Sequence, residues 1–232
     1  MLRRSFLLTG LSVFHRKPAE VLGGVEFKVL RNNSRSPRRY IFIHGNEDTA
    51  RLALDLHMQA YEGTAFSVTG KDRYVIVAGL KVDPNRMFSR VGAEKSLRDL
   101  NTNTDPVPAL DLLDREREKL LRRIIPPAGS RLVALHNNRE YSVQSEIAAS
   151  DETSIKQPGL PRHFFLCTDP KDYAVMKESP YNVVLQSKPD PDDGSLSRLA
   201  AKRGFRYVNL ECGLGELEAQ LERLRWLENN LP

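Results

Sequence analysis

Tyr40-Ile41-Phe42-Ile43-His44-Gly45-Asn46-Glu47 is an apolar run that stops abruptly at a histidine, a glycine and a glutamate. An apolar run without alternation reads as a central strand of a sheet covered on both faces. Gly45-Asn46 then signals a turn, so the strand delivers two metal-capable side chains, His44 and Glu47, to the point where the backbone must change direction. On its own His-x-x-Glu is a weak motif, and a strand end followed by a helix-capping turn explains it more readily.

Downstream, Asp48 to Tyr61 carries Ala50, Leu52, Ala53, Leu54, Leu56, Met58 and Ala60, which predicts a helix packed on the sheet, with Asp48 or Thr49 at its cap. Upstream, Val25 to Leu30 alternates as a half-buried strand does, and the Asn-, Ser-, Pro- and Arg-rich stretch to Arg39 is a loop. Gly63 to Gly70 reads as a connection and Arg73 to Ala78 as a further strand, leading into a loop that contains Asp83-Pro84-Asn85-Arg86-Met87-Phe88. Arg90 to Thr104 is weakly helical, and Ala109 to Ile125 is an amphipathic helix closed by Pro126-Pro127. Arg131 to Leu135 is a buried-type strand ending at His136, and Arg139 to Pro161 reads as a long loop of the kind that rims active sites.

Strands at His163–Cys167, Tyr181–Leu185 and Phe205–Leu210 alternate with helices from Asp169 and from Ser195, the second stopped by Gly204. A last helix, Gly215 to Asn229, sets Leu217, Leu221, Leu224 and Leu227 on one stripe. This order predicts an α/β fold: a mostly parallel mixed sheet with helices on both faces.

The 232 residues suit one α/β domain, assigned to residues 23–232. A composition 40% hydrophobic and 28% charged is that of a globular chain, which excludes a membrane channel and a wholly disordered protein. No apolar run reaches the roughly eighteen residues of a spanning helix. The net charge of +5 is modest, and the basic excess before residue 40 lacks interleaved aromatics, so nucleic acid is not expected as a partner. Cys167 and Cys212 each close or follow an apolar strand and read as buried thiols. Residues 1–22 stand apart. Arg3-Arg4 and the weakly hydrophobic stretch to Phe14 resemble a twin-arginine export signal, which implies a periplasmic protein; a basic helix or disordered tail on a cytoplasmic protein is the alternative.

Three strand ends carry chemistry: His44 and Glu47, then His136, then Glu211. In open parallel sheets ligands bind at the carboxyl ends of the strands, so these four groups can converge. Two imidazoles and a carboxylate form a common catalytic zinc site with an open position, and a fourth, unbound carboxylate can serve as general base. His57 lies in an apolar helix and reads as packed, His163 as a surface or supporting residue, and His15 as tail. Gly-x-Ser-x-Gly is absent, and Cys212 reads as a small buried neighbour of Glu211. Asp190-Pro-Asp-Asp193 reads as a solvated acidic turn.

The motif order His44-Gly45-Asn46-Glu47, Asp83-Pro84-Asn85-Arg86-Met87-Phe88, Leu135-His136-Asn137-Asn138 and Leu210-Glu211-Cys212-Gly213 resembles the zinc carboxypeptidase superfamily, most of all its succinylglutamate desuccinylase and aspartoacylase branch. The resemblance spans roughly Tyr40 to Gly213. It implies zinc on His44, Glu47 and His136, a catalytic Glu211, and Asn85 with Arg86 holding a substrate carboxylate. It also implies an oxyanion-stabilising arginine, for which Arg73 is the candidate although its spacing departs from the pattern. Pro84 replaces a leucine of the branch motif and Ala134 replaces an acid, which puts the orientation of His136 in question. The chain leaves no room after Glu211 for the C-terminal domain of aspartoacylases, so substrate identity is not carried over. The expected activity is zinc-dependent hydrolysis of a small amide or peptide next to a free carboxylate, by a carboxypeptidase or an N-acyl amino acid deacylase. The alternative is a carboxylate-binding protein on the same fold without catalysis.

Overall fold

The computed structural model describes residues 17–33 and 35–231. Strands β1 (Lys17–Leu22), β2 (Val25–Asn32) and β3 (Arg39–Phe42) lead into helix α1 (Asp48–Ala60) and strand β4 (Gly63–Val68). A small hairpin, β5 (Val75–Val77) and β6 (Leu80–Val82), is followed by a 3-10 turn at Pro84–Arg86, helices α2 (Arg90–Leu100) and α3 (Val107–Ile124), and strand β7 (Arg131–Asn138). Then come α4 (Val143–Ile147), β8 (Glu152–Ser154), β9 (Phe164–Cys167), α5 (Pro170–Met176), β10 (Asn182–Leu185), α6 (Leu196–Arg203), β11 (Arg206–Gly213) and α7 (Leu217–Asn230).

Among the described residues nine strands form one mixed sheet in the order β1-β2-β4-β3-β7-β11-β9-β10-β8. Its centre, β4-β3-β7-β11, is parallel, and antiparallel strands extend it toward both edges. Helices α1 and α7 pack together against β7 and β11, while α2, α3 and α6 form a second group. The α/β class is therefore as the sequence implies. Buried runs explain the centre: Tyr40, Ile41, Phe42 and Ile43 are each at most 1% exposed, and so are Leu132 to Leu135.

Helix α1 buries Ala50, Ala53, Leu54, His57 and Met58, a single face at helical spacing. His57 is thus packed, with Nε2 3.4 Å from Glu228 of α7. Gly204 ends α6 in the left-handed conformation, which a glycine adopts without steric cost.

Four local readings change. Gly63–Val68 is not a connection but β4, buried along its whole length between β2 and β3. Arg73–Ala78 supplies only three strand residues, and they form the β5–β6 hairpin outside the main sheet; Ala78 and Gly79, both at positive φ, make its two-residue turn. The stretch 139–161 contains α4 and β8. In α7 the leucine stripe packs on the core as read, and the change is that Gln220, Arg223 and Glu228 are buried beside it, so polar groups share that interface.

Lys17–Leu22, set outside the domain in the sequence reading, forms edge strand β1 against β2. Arg3-Arg4 and the rest of the candidate export signal before Lys17 lie outside the described residues.

The chain runs from β3 to β4 on one side and later returns to β7 on the other. This reversal opens a crevice at the carboxyl ends of β3 and β7, where open α/β sheets bind ligands.

Candidate metal centre

His44 lies just past β3, and the turn to Glu47 is closed by the Glu47 N–H donating to the His44 carbonyl at 3.1 Å. Gly45 is required for space: a Cβ there would lie 2.4 Å from the Gly70 carbonyl oxygen. Glu47 precedes α1, and its Oε2 accepts the Asn137 N–H at 3.0 Å, which ties it to β7. His136 lies within β7, and Glu211 is its parallel neighbour in β11.

These positions bring the predicted ligands together. His44 Nδ1 is 2.9 Å from Glu47 Oε1, His136 Nδ1 is 3.2 Å from Glu47 Oε2, and the two Nδ1 atoms are 3.2 Å apart. All three residues are at least nine-tenths buried and can hold a metal ion. A tetrahedral ion with bonds of about 2.0–2.1 Å separates its ligand atoms by about 3.3 Å, close to the observed spacings.

The partner of His44 Nε2 agrees with the same reading. His44 Nε2 is 2.9 Å from Asp83 Oδ1, which holds an N–H there and leaves Nδ1 as the atom that faces the cluster. The two ring nitrogens at 3.2 Å, with a carboxylate beside them, are bridged either by a hydrogen-bonding proton or by a metal ion.

The electrostatics are arranged for positive charge. Burial alone would lower the His44 pKa, but the carboxylates of Asp83 and Glu47 outweigh it and raise it to about 9. Burial opposes ionisation of Glu47 too, yet His136 and His44 bring it down to about 2. Asp83 falls to about 2 against its own burial, through His44, the Asn85 N–H and Arg73. Glu211 moves the other way. Burial pushes its carboxyl up and Glu47 adds repulsion, against opposing pulls from His136, Asn138 and Asn209. Asn138 Nδ2 and Asn209 Nδ2 donate to its two oxygens at 3.0 and 3.1 Å, fixing its orientation.

A cleft of about 780 Å³ opens over this cluster, and every predicted site residue lines it: His44, Glu47, His136, Glu211, Asn85, Arg86 and Arg73. Arg73 Nη1 and Nη2 lie 3.5 Å from Glu47 and Asp83, so its guanidinium faces the candidate centre from the cleft side. Asn85 Oδ1 accepts the Leu196 N–H at 3.3 Å. Arg86 is already paired, its Nη1 donating to Asp193 Oδ2 at 2.8 Å. The Asp190–Asp193 turn is therefore part of the cleft wall.

Sequence reasoning gave no role to Asp83, Asp193 or Glu146. Asp83 opens the quoted Asp-Pro-Asn-Arg stretch and caps its 3-10 turn, accepting the Asn85 N–H at 2.8 Å, which is the signal that would have found it. Asp193 carried none beyond its charge. Glu146 lies in α4, within a stretch read as loop, and accepts bonds from Tyr141 and Gln186. Among the described residues His136 Nε2 is buried with no hydrogen-bond partner, so His136 has no counterpart of Asp83.

Fold and cluster together define an α/β protein with a candidate metal centre at the carboxyl ends of its central strands. No protein-family model and no curated protein matches the chain. Among solved structures it is similar to a proposed metallopeptidase from Shewanella amazonensis, at 9% identity and TM-score 0.46, covering 94% of this chain and 88% of the other. It is also similar to the murein-tripeptide amidase MpaA from Escherichia coli O157, at 14% identity and TM-score 0.49, covering 90% of each. Similarity at this level does not transfer function, which has to be argued from the site.

Proposed function

We infer that the protein is a zinc-dependent hydrolase of an amide or peptide bond adjacent to a free carboxylate. The observation that carries this reading is the buried convergence of His44 Nδ1, His136 Nδ1 and the Glu47 carboxylate beside Glu211 in one cleft. The donor set, two imidazoles and one carboxylate, is that of catalytic zinc. Zinc bound there supplies Lewis acidity toward the amide carbonyl and toward a water molecule.

The chain's own groups do the rest. Glu211, with its proton affinity raised by burial, takes a proton from the attacking water and delivers it to the departing nitrogen. The two asparagines bonded to its oxygens keep it aimed. Arg73, facing Glu47 and Asp83 across the cleft, stabilises the oxyanion. Arg86 receives the substrate carboxylate on its remaining N–H groups, and Asn85 offers its amide nitrogen alongside. Carboxypeptidase and N-acyl amino acid deacylase are two forms of this same chemistry.

Metal analysis combined with Glu211→Gln tests the reading. Zinc is expected at one ion per chain in both proteins, with turnover reduced at least about a hundredfold in the variant. No stoichiometric zinc in the wild type, or full turnover in Glu211→Gln, refutes it. A protein that binds carboxylates without catalysis would have no turnover to lose.

A further inference from the structure

The Asp193 carboxylate beside Arg86 is fixed. Its Oδ2 accepts from Arg86 at 2.8 Å, and its Oδ1 accepts the Ser195 N–H at 2.9 Å. The backbone behind it is fixed as well, since the Phe88 N–H donates to the Gly194 carbonyl at 3.1 Å. Gly194 has φ of 80°, and a Cβ there would lie 2.3 Å from the Arg86 carbonyl oxygen; one on Gly92 would lie 2.3 Å from that of Asp193. The turn is thus wedged against the Arg86 segment, and Asp193 cannot retreat without breaking these contacts. The pair still opens to the cleft, with side chains 39% and 43% exposed, and exposed Asp190 adds negative charge to the same wall.

A ligand carboxylate on the remaining Arg86 N–H groups therefore meets a second carboxylate already held on the same guanidinium. A plain carboxylate is repelled by it, whereas a ligand with positive charge next to its carboxylate is attracted. An α-amino acid head has that arrangement: its ammonium nitrogen and carboxyl carbon are about 2.5 Å apart by covalent geometry. This spacing matches the 2.8 Å between the guanidinium nitrogen and the Asp193 oxygen, so four charges alternate in sign.

We propose that Arg86 and Asp193 together bind the free carboxylate and ammonium of an α-amino acid head. The substrate is then an amide made through the side chain of that amino acid. An Nα-acyl amino acid or an ordinary peptide end has an uncharged amide where Asp193 requires an ammonium. The recognition step stands on the Arg86–Asp193 geometry; the cleavage step rests on the hydrolase reading and moves its scissile bond from the amide next to the carboxylate to the side-chain amide of the same amino acid.

The test uses zinc-loaded full-length protein. Calorimetry compares L-lysine, L-ornithine and L-diaminobutyrate with their counterparts lacking the α-amine, and acetate release is followed from the side-chain N-acetyl derivative of each. The amino acids are expected to bind at least about tenfold more tightly, the worth of one charge-assisted hydrogen bond. Asp193→Asn, which keeps an acceptor for the Ser195 N–H, is expected to abolish that difference, and Arg86→Gln to weaken both series. Equal affinity of the two series, no binding of either, or an Asp193→Asn variant that binds both more tightly to the same degree overturns the proposal; the last would make Asp193 only a competitor for Arg86. Selective binding without acetate release from any member supports the recognition site and overturns cleavage at the side-chain amide. Acetate release that ignores the α-amine does the reverse.

Discussion

Replacing Asp83 with asparagine should weaken metal binding while leaving the fold intact. Asp83 is the carboxylate behind His44: Oδ1 lies 2.9 Å from His44 Nε2 and also accepts the Asn85 N–H at 2.8 Å, while its own N–H donates to Ser96 Oγ at 2.9 Å. The asparagine side chain has the same shape and can preserve the local turn, but it removes the negative charge that makes His44 a more basic ligand and can turn its NH2 toward the ring. Loss of such an outer partner costs about 10- to 100-fold in metal affinity, or about 1.4–2.7 kcal/mol. The lower end is expected for Asp83→Asn, because Glu47 still faces His44 at 2.9 Å, and the upper end for Asp83→Ala, which leaves the imidazole N–H without an acceptor.

The assay is zinc competition against a chromophoric chelator at fixed pH, with circular dichroism as the control for folding. Unchanged zinc affinity in both variants would refute the argument, because the His44 tautomer would then not depend on Asp83. A loss in Asp83→Ala with none in Asp83→Asn would show that the acceptor matters and its charge does not.

Gly45→Ala should destabilise the protein by about 1–3 kcal/mol in chemical denaturation and lower its zinc affinity, because the new Cβ meets the Gly70 and Asp72 carbonyls at 2.4 and 2.7 Å. Arg131→Met should lower stability by about 3–5 kcal/mol, since it removes the guanidinium, 1% exposed, that contacts the Leu227 and Leu231 carbonyls and leaves Glu228 with one charged partner fewer; an unchanged melting temperature would contradict this. Stability should fall on the acid side as Glu228 titrates. Burial raises its pKa, but His57, Tyr40 and Arg131 outweigh burial and hold it below the ordinary 4.5. The unfolded chain therefore takes up this proton first. The contribution is complete above about pH 4.5, is lost as pH falls through the folded value, and should vanish from the difference between wild type and Glu228→Gln at low pH.

The parallel centre of the sheet was legible because its strands are buried on both faces, which removes alternation and leaves apolar runs such as Tyr40–Ile43 and Leu132–Leu135. Strand β4 is buried just as fully but is written Gly-Thr-Ala-Phe-Ser-Val, and its small and polar residues carry no hydrophobic signal. What makes it a strand is pairing on both sides with β2 and β3, a tertiary fact no local window contains. The leucine stripe of α7 was legible, but the polar groups buried beside it were not, for a related reason. Arg223 and Glu228 are buried because partners exist for them, in Gln157 and in Tyr40, Arg38 and Arg131, and those partners lie far away in sequence.

The candidate centre shows the same division. His44, Glu47, His136 and Glu211 could be picked out because each sits at or near the end of a buried strand, and parallel strands that are neighbours must bring such ends together. Strand periodicity contains nothing comparable for groups that act through another side chain. Asp83 reaches His44 from a 3-10 turn, and Asp193 reaches Arg86 from a turn more than a hundred residues later, held there by the close approach of Gly92 and Gly194. The strand ends thus specify where chemistry can occur, and the loops specify what is admitted to it. Arg86 read in isolation calls for a carboxylate. Arg86 with Asp193 fixed against it calls for a carboxylate accompanied by a positive charge, and substrates chosen on the motif alone would lack that charge.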